Sequence, residues 1–186
     1  MKKFPSLLSV ALVMISLATA GATTVIPPTF DELVGEAEVI FQGRVTDVKS
    51  QWAGEGAGRN IITYVTFTVE DSLKGMPGQS YTIRMLGGTV NGETMEVADA
   101  PKFSVGDRDI IFVEHNGSQF VPLVGIMYGR FQVKRDQAGQ DIIRTNEDKP
   151  VVDLARLGRG EQPPAAGNGI SAADFKSAVR SKLISH

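Results

Sequence analysis

Few residues of this chain are of a type and spacing that could run a reaction. Cysteine is absent, and the two histidines are His115 and His186. Without cysteine there are no thiolate nucleophiles, zinc–thiolate sites or iron–sulfur clusters. An HExxH zinc site needs two histidines about one helical turn apart on the same face, whereas His115 reads as a turn residue and His186 ends the chain. No Gly-x-Ser-x-Gly elbow marks a nucleophilic serine. Gly54, Gly56 and Gly58 imitate a phosphate-binding loop. Such a loop works only between a strand and a helix, where amides and the helix dipole converge on phosphate. Here the glycines read as a hairpin loop. Asp107, Asp109 and Glu114 are the nearest approach to a calcium cluster. They lack the glycine and terminal glutamate of a calcium loop, and strand alternation sends Asp109 and Glu114 to opposite faces. They read as turn and strand-end charges. These residues predict a non-enzymatic protein with no metal and no cofactor. A hydrolase with an unrecognised Asp or Glu site, and a structural envelope protein, are the alternatives.

Trp52, the single tryptophan, stands where a strand runs into the glycine-rich loop. Two roles are open to it: an anchor for the end of the β domain, or an exposed aromatic used in binding, since tryptophan is enriched in interface hot spots.

The elements that must position such residues begin after an export signal. Lys2 and Lys3 precede an uncharged apolar run from Leu7 to Leu17, and Ala18-Thr19-Ala20 and Ala20-Gly21-Ala22 offer small side chains at cleavage spacing. This is the pattern of a secretory signal peptide, and the apolar core is shorter than the roughly 20 residues of a membrane span. Cleavage after Ala22 is favoured, with the site after Ala20 as the alternative. No cysteine stands there to carry a lipid anchor. The short charged start suggests a bacterial protein delivered to the periplasm or the medium. Removing residues 1–22 takes two of 19 basic residues and none of 21 acidic ones, so 17 face 21 and the net charge becomes −4. A mildly acidic exported domain without a basic, aromatic strand face does not suit nucleic acid, and no polybasic segment suits anionic lipid.

The mature part, about 160 residues, is enough for one domain with its own core. Thr29-Phe30-Asp31-Glu32 is a capping box that predicts a short helix over 30–37. Alternation over 39–48, with a one-residue slip, predicts a bulged strand, and Ile61, Thr63, Val65, Phe67 and Val69 mark the clearest strand. Further strands are predicted over 81–85, around 95–97, 109–114, 119–124, 129–133 and 142–143. Asn91-Gly92 and Asn116-Gly117 supply hairpin turns. Residues 146–170 read as a surface excursion or linker rich in charges, proline and glycine. Ser171, with Asp174, caps a last helix whose Phe175, Ala178, Val179 and Leu183 form an apolar stripe, to pack on the domain or to dock on a partner.

Three segments carry a family likeness: Glu36–Val45, with its Phe41-x-Gly43-x-Val45; Val65–Gly75, ending Leu73-Lys74-Gly75; and Val105-Gly106-Asp107 before the buried run Ile110–Phe112. In this order they resemble the netrin-like, or tissue-inhibitor-of-metalloproteinases-like, module over roughly residues 29–134. The stretch from Gly106 to Val113, with Pro122–Gly125 and Gly129-Arg130-Phe131, is similar to an exported bacterial family of that kind. The resemblance implies a small OB-like five-stranded barrel, mainly β, with a short N-terminal helix and a C-terminal helix. It also implies a binding module for an extracytoplasmic protein, such as a protease, with contacts made by the amino terminus and neighbouring loops. On this chain those positions are Thr23, Thr24, Trp52, Gly87, Gly88 and Asn91. The animal inhibitors chelate the protease zinc through an N-terminal cysteine, which this chain lacks, so fold transfers better than mechanism.

Overall fold

A computed structural model describes residues 26–159 and 169–185. The expected signal peptide, with Thr23 and Thr24, lies outside them. The Thr29 hydroxyl accepts from the Glu32 amide at 3.3 Å and Glu32 Oε2 accepts from the Thr29 amide at 2.7 Å, so the capping box starts helix α1 (Phe30–Glu36) as expected. Lys74 Nζ donates to the carbonyl oxygens of Val34 and Gly35 at 2.8 and 3.0 Å, meeting the negative end of that helix.

Strand β1 (Val39–Ala53) and strand β2 (Asn60–Lys74) are each 15 residues long and pair as an antiparallel hairpin. Their register shifts three times, between Ile40 and Phe41, Gln42 and Gly43, and Val45 and Asp47. Each shift bends the ribbon and increases its twist. Gly43 is required at the middle shift, because a Cβ there would come within 2.9 Å of the Thr68 carbonyl oxygen. The remaining strands are β3 (Ser80–Leu86), β4 (Gly88–Val90), β5 (Glu93–Met95), β6 (Arg108–Val113), β7 (Arg130–Arg135) and β8 (Asp141–Thr145). Six of these eight strands form one antiparallel sheet in the order β3-β2-β1-β6-β7-β8, and β4 and β5 form a separate small hairpin.

Helix α2 (Ala172–Ile184) packs with α1 on one face of this sheet. There Phe30, Phe112, Phe131 and Phe175 interlock with ring centroids 5.0 to 6.2 Å apart, among Leu33, Ile40, Ile110 and Val179. Phe175 and Val179 are fully buried, so the stripe of the last helix is spent on the domain itself. Lys176 and Arg180 reach Asp71 at 2.9 and 2.7 Å, and Lys182 reaches Asp31 at 2.7 Å. The stretch read as a surface excursion contributes Val151, fully buried in this core, and a 3₁₀ turn at Leu154–Arg156.

The opposite face curls over a second core. Phe41, Phe67, Tyr81 and Phe103 stack at 5.3 to 5.6 Å, with Val65, Ile83, Ile111 and Leu123 around them. No helix covers this face among the described residues; loops 96–104 and 120–126 do.

The mainly β reading is right and the five-stranded barrel is not. Among the described residues there are eight strands, and the large sheet is open, with β3 and β8 at its edges. The reason lies in residues 119–124, expected as a strand. Pro122 removes a ladder donor there, and only Leu123 bridges back to Val113. The segment turns over the outer edge of β3 instead. Asn116 accepts from the Arg84 amide at 3.0 Å and donates to the Thr82 carbonyl at 2.8 Å, while the Phe120 carbonyl takes the Leu86 amide at 2.6 Å. Loop groups thus satisfy the edge that barrel closure would have paired, which also shields it from other chains.

Candidate functional site

The loop-covered face carries a groove of about 770 Å³. Val48 of β1, Val65 of β2 and Met85 of β3 floor it. The β4–β5 hairpin forms one wall, with Thr89 and Thr94 hydroxyls 2.9 Å apart, and loop 96–103 forms the other. Sequence reasoning placed Gly87 and Gly88 in a contact loop, and both line this groove. They are glycines for a physical reason. Gly87 has φ +98° and Gly88 has φ +130°, backbone that side chains rarely adopt. A Cβ on Gly88 would also strike the Thr63 and Ser50 hydroxyl oxygens, themselves 2.8 Å apart. The Thr63 hydroxyl donates to the Gly87 carbonyl at 2.6 Å, which seats the hairpin on the sheet.

Asn91 (φ +51°) and Gly92 (φ +86°) form the hairpin tip and do not line the groove. Trp52 lies at the far end of the β1–β2 hairpin, half-buried, with the Arg59 guanidinium 4.1 Å above its ring. Strand alternation puts it on the same face as Val48 and Ser50, but it too is no part of the lining. The first described residues after Thr23 and Thr24 lead elsewhere: Pro27 and Pro28 pack against Gly158, and Pro28 against Gly125.

The other end of the groove is closed by Arg130 with Asp107 and Asp109, two acids that read in the sequence as turn and strand-end charges. Arg130 of β7 is 4% exposed and Asp109 of β6 is fully buried. Arg130 Nε donates to Asp109 Oδ1 at 3.0 Å, and Nη2 donates to Asp109 Oδ2 at 3.2 Å and Asp107 Oδ2 at 2.8 Å. Nη1 donates to the Lys102 carbonyl at 2.6 Å, and the guanidinium stacks on Phe103 with Cζ 4.2 Å from the ring centre. A planar fork with fixed donors suits this two-carboxylate arrangement as an ammonium would not. Burial pushes the Asp109 carboxyl up to about 6, against the pull of Arg130, and the neighbouring Asp107 charge adds to the rise. A raised carboxyl in a cleft can be a general acid. Both Asp109 oxygens are occupied by Arg130 and neither is exposed, so the group works as an anchor for Arg130. The available signal in the sequence was the spacing of Asp107 and Asp109, which share a side of the chain, with an arginine on the next strand; register was needed to connect them.

A second network lies on the helix-covered face, because Arg108 points opposite to Asp109. Arg108 reaches Glu70 at 3.2 Å and Asp141 at 2.8 Å, and Gln42 Nε2 donates to Glu70 at 2.7 Å. Arg108, Glu70 and Asp141 are partly exposed, while Gln42 is buried. Among the described residues no cluster of three or more His, Asp or Glu could hold a metal ion.

Three residues from the segments quoted for the netrin-like resemblance have scaffold roles. Gly43 permits the bulge, Lys74 caps α1, and Asp107 ties its turn to Arg130. Comparison with known proteins returned no matching family model, no matching curated protein and no matching solved structure.

Proposed function

We propose that this protein is an exported, non-catalytic binding module that holds an extended segment of an extracytoplasmic protein, such as an envelope protease, in the groove of its loop-covered face. The observation that carries this is the groove itself, a rigid sheet floor walled by a hairpin and a loop. Its volume and its mixture of hydroxyls, glycine backbone and apolar side chains suit a peptide segment, which offers backbone polar groups beside apolar side chains. Gly87 and Gly88 let the hairpin sit tightly on the sheet, which fixes the position of this wall. The resemblance to netrin-like modules and the signal-peptide pattern point to the same kind of partner and compartment.

The test uses the protein processed in its own cell. A photocrosslinker at Thr89, exposed in the groove wall, is compared with one at Gln137, exposed in the β7–β8 turn. The expected result is a discrete adduct from Thr89 alone. The purified partner should then lose affinity at least tenfold for Thr94→Arg, which narrows the groove. Equal crosslinking from both positions, or full binding by Thr94→Arg, would overturn the proposal.

A further inference from the structure

Loop 96–103 is attached to the sheet in an unusual way. Apart from apolar packing by Val97, Ala100 and Phe103, one hydrogen bond among the described residues joins it to the six-stranded sheet, from Arg130 Nη1 to the Lys102 carbonyl. Phe103 rests between the Arg130 guanidinium and the Phe67 ring, whose centroid is 5.6 Å away. The fully buried Asp109 carboxyl meets the Nε–Nη2 edge of the same guanidinium. Exposure thus falls from the loop, through Arg130, to Asp109 at one end of the groove.

We propose that loop 96–103 is a proton-closed flap over the groove, in which sealing the Asp109 carboxyl beneath Arg130 couples closure to uptake of one proton. The physical reason is desolvation. With the loop down, Asp109 is fully buried and its ionised form is disfavoured. With the loop lifted, water reaches the clamp and the carboxyl returns towards ordinary behaviour. The closed form therefore has the higher proton affinity, consistent with the raised value of about 6, and acid favours closure. As pH rises through that value the flap loosens.

The charges around Asp109 do not reverse this. Arg130 and Lys134 of β7 favour its ionised form, and Asp107 opposes it. Lys102 on the loop is turned to Glu96, 3.1 Å away. The strand neighbours Gly43 and Gln132 bring no charge. Protonation also leaves the clamp assembled, since Nη2 keeps Asp107 and Nη1 keeps the Lys102 carbonyl.

Amide hydrogen exchange by mass spectrometry, corrected for the intrinsic pH dependence of exchange, reads the flap directly in the protein without any partner. One proton with affinities set by carboxyls near 6 closed and near 4 open gives protection of residues 96–103 about tenfold greater at pH 5 than at pH 7.5. Amides of α2, which touch no part of the clamp, serve as the reference and should keep their relative protection. Asp109→Asn should hold the flap at one protection level across this range. A flap that tracks α2 at every pH, or an Asp109→Asn variant that keeps the wild-type response, overturns the proposal. Should that variant not fold, the wild type still decides by NMR: the Asp109 carboxyl carbon and the Phe103 ring protons must titrate together, and a Phe103 ring indifferent to Asp109 overturns it. Because no partner enters the measurement, its failure leaves the binding reading standing, and failure of the binding reading leaves the flap standing.

Discussion

The two faces of the sheet are built from the same materials and finished differently. Each core holds four interlocked aromatic rings, and each borders an arginine set between two carboxylates. On one face two helices lie over the rings and the arginine network stays near water. On the other, loops lie over the rings and the arginine network is buried. Helices satisfy their own backbone, so they can cover a core without help. Loops cannot, and loop 96–103 needs Arg130 to hold it. The face covered by loops is the one that has room for a ligand.

The largest expected effect tests the helix-covered face. Phe175→Ala empties the centre of four rings and should cost about 4 kcal/mol in urea unfolding, with the usual spread for buried phenylalanine. Phe103→Ala, at a partly exposed ring on the loop-covered face, should cost less than half as much. Equal losses would mean that the loop-covered core is as closed as the other.

The two arginines come next. Arg130→Ala leaves Asp109 buried and unpaired, so a loss of about 3 kcal/mol is expected. Arg108→Ala removes pairs that water already screens, for a loss of about 1 kcal/mol or less. Thermal denaturation of both variants at one pH checks the contrast.

The pH dependence should also split by face. Asp109 is raised when folded, so its ionisation opposes folding above about 6, and that penalty fades as pH falls towards 4. Stability measured from pH 7 down to pH 4.5 should therefore carry a rising component that Asp109→Asn removes. Asp71 and Asp141 behave oppositely. Burial would raise Asp71, but hydrogen bonds from Lys176 and Arg180 outweigh it, and the hydrogen bond from Arg108 holds Asp141 down. Their stabilisation is complete above the ordinary carboxylate range and is lost as pH drops below it. Asp71→Asn should lower stability above the carboxylate range, where the ionised group is paired, and flatten the fall below pH 4.

The smallest effect concerns Trp52. Arg59→Ala removes the cation above an indole at the hairpin end and should cost below about 1 kcal/mol, with a change in tryptophan emission that leaves both cores intact.

Local chemistry was legible in the sequence. Thr29 with Glu32 and Ser171 with Asp174 marked helix starts, and the alternation of Ile61 to Val69 marked the central strand, because caps and strand periods depend on residues a few positions apart. Gly87 and Gly88 came forward only through the family resemblance; their positive φ values and their place in the groove wall are features of the fold. The number of strands and the open sheet were not legible. Whether residues 119–124 would pair as a strand, or Asn116 and Phe120 would plug the edge of β3, depended on where that edge stood, which no local pattern states. The buried clamp was hidden for the same reason. Asp107, Asp109 and Arg130 look like turn and strand-end charges in one dimension, and only the register of β6 against β7 puts them on one face, out of water, beneath a loop. Sequence by itself determined which segments could be helix or strand; the tertiary structure alone decided which charges lost their water, because desolvation is a property of everything packed around a group.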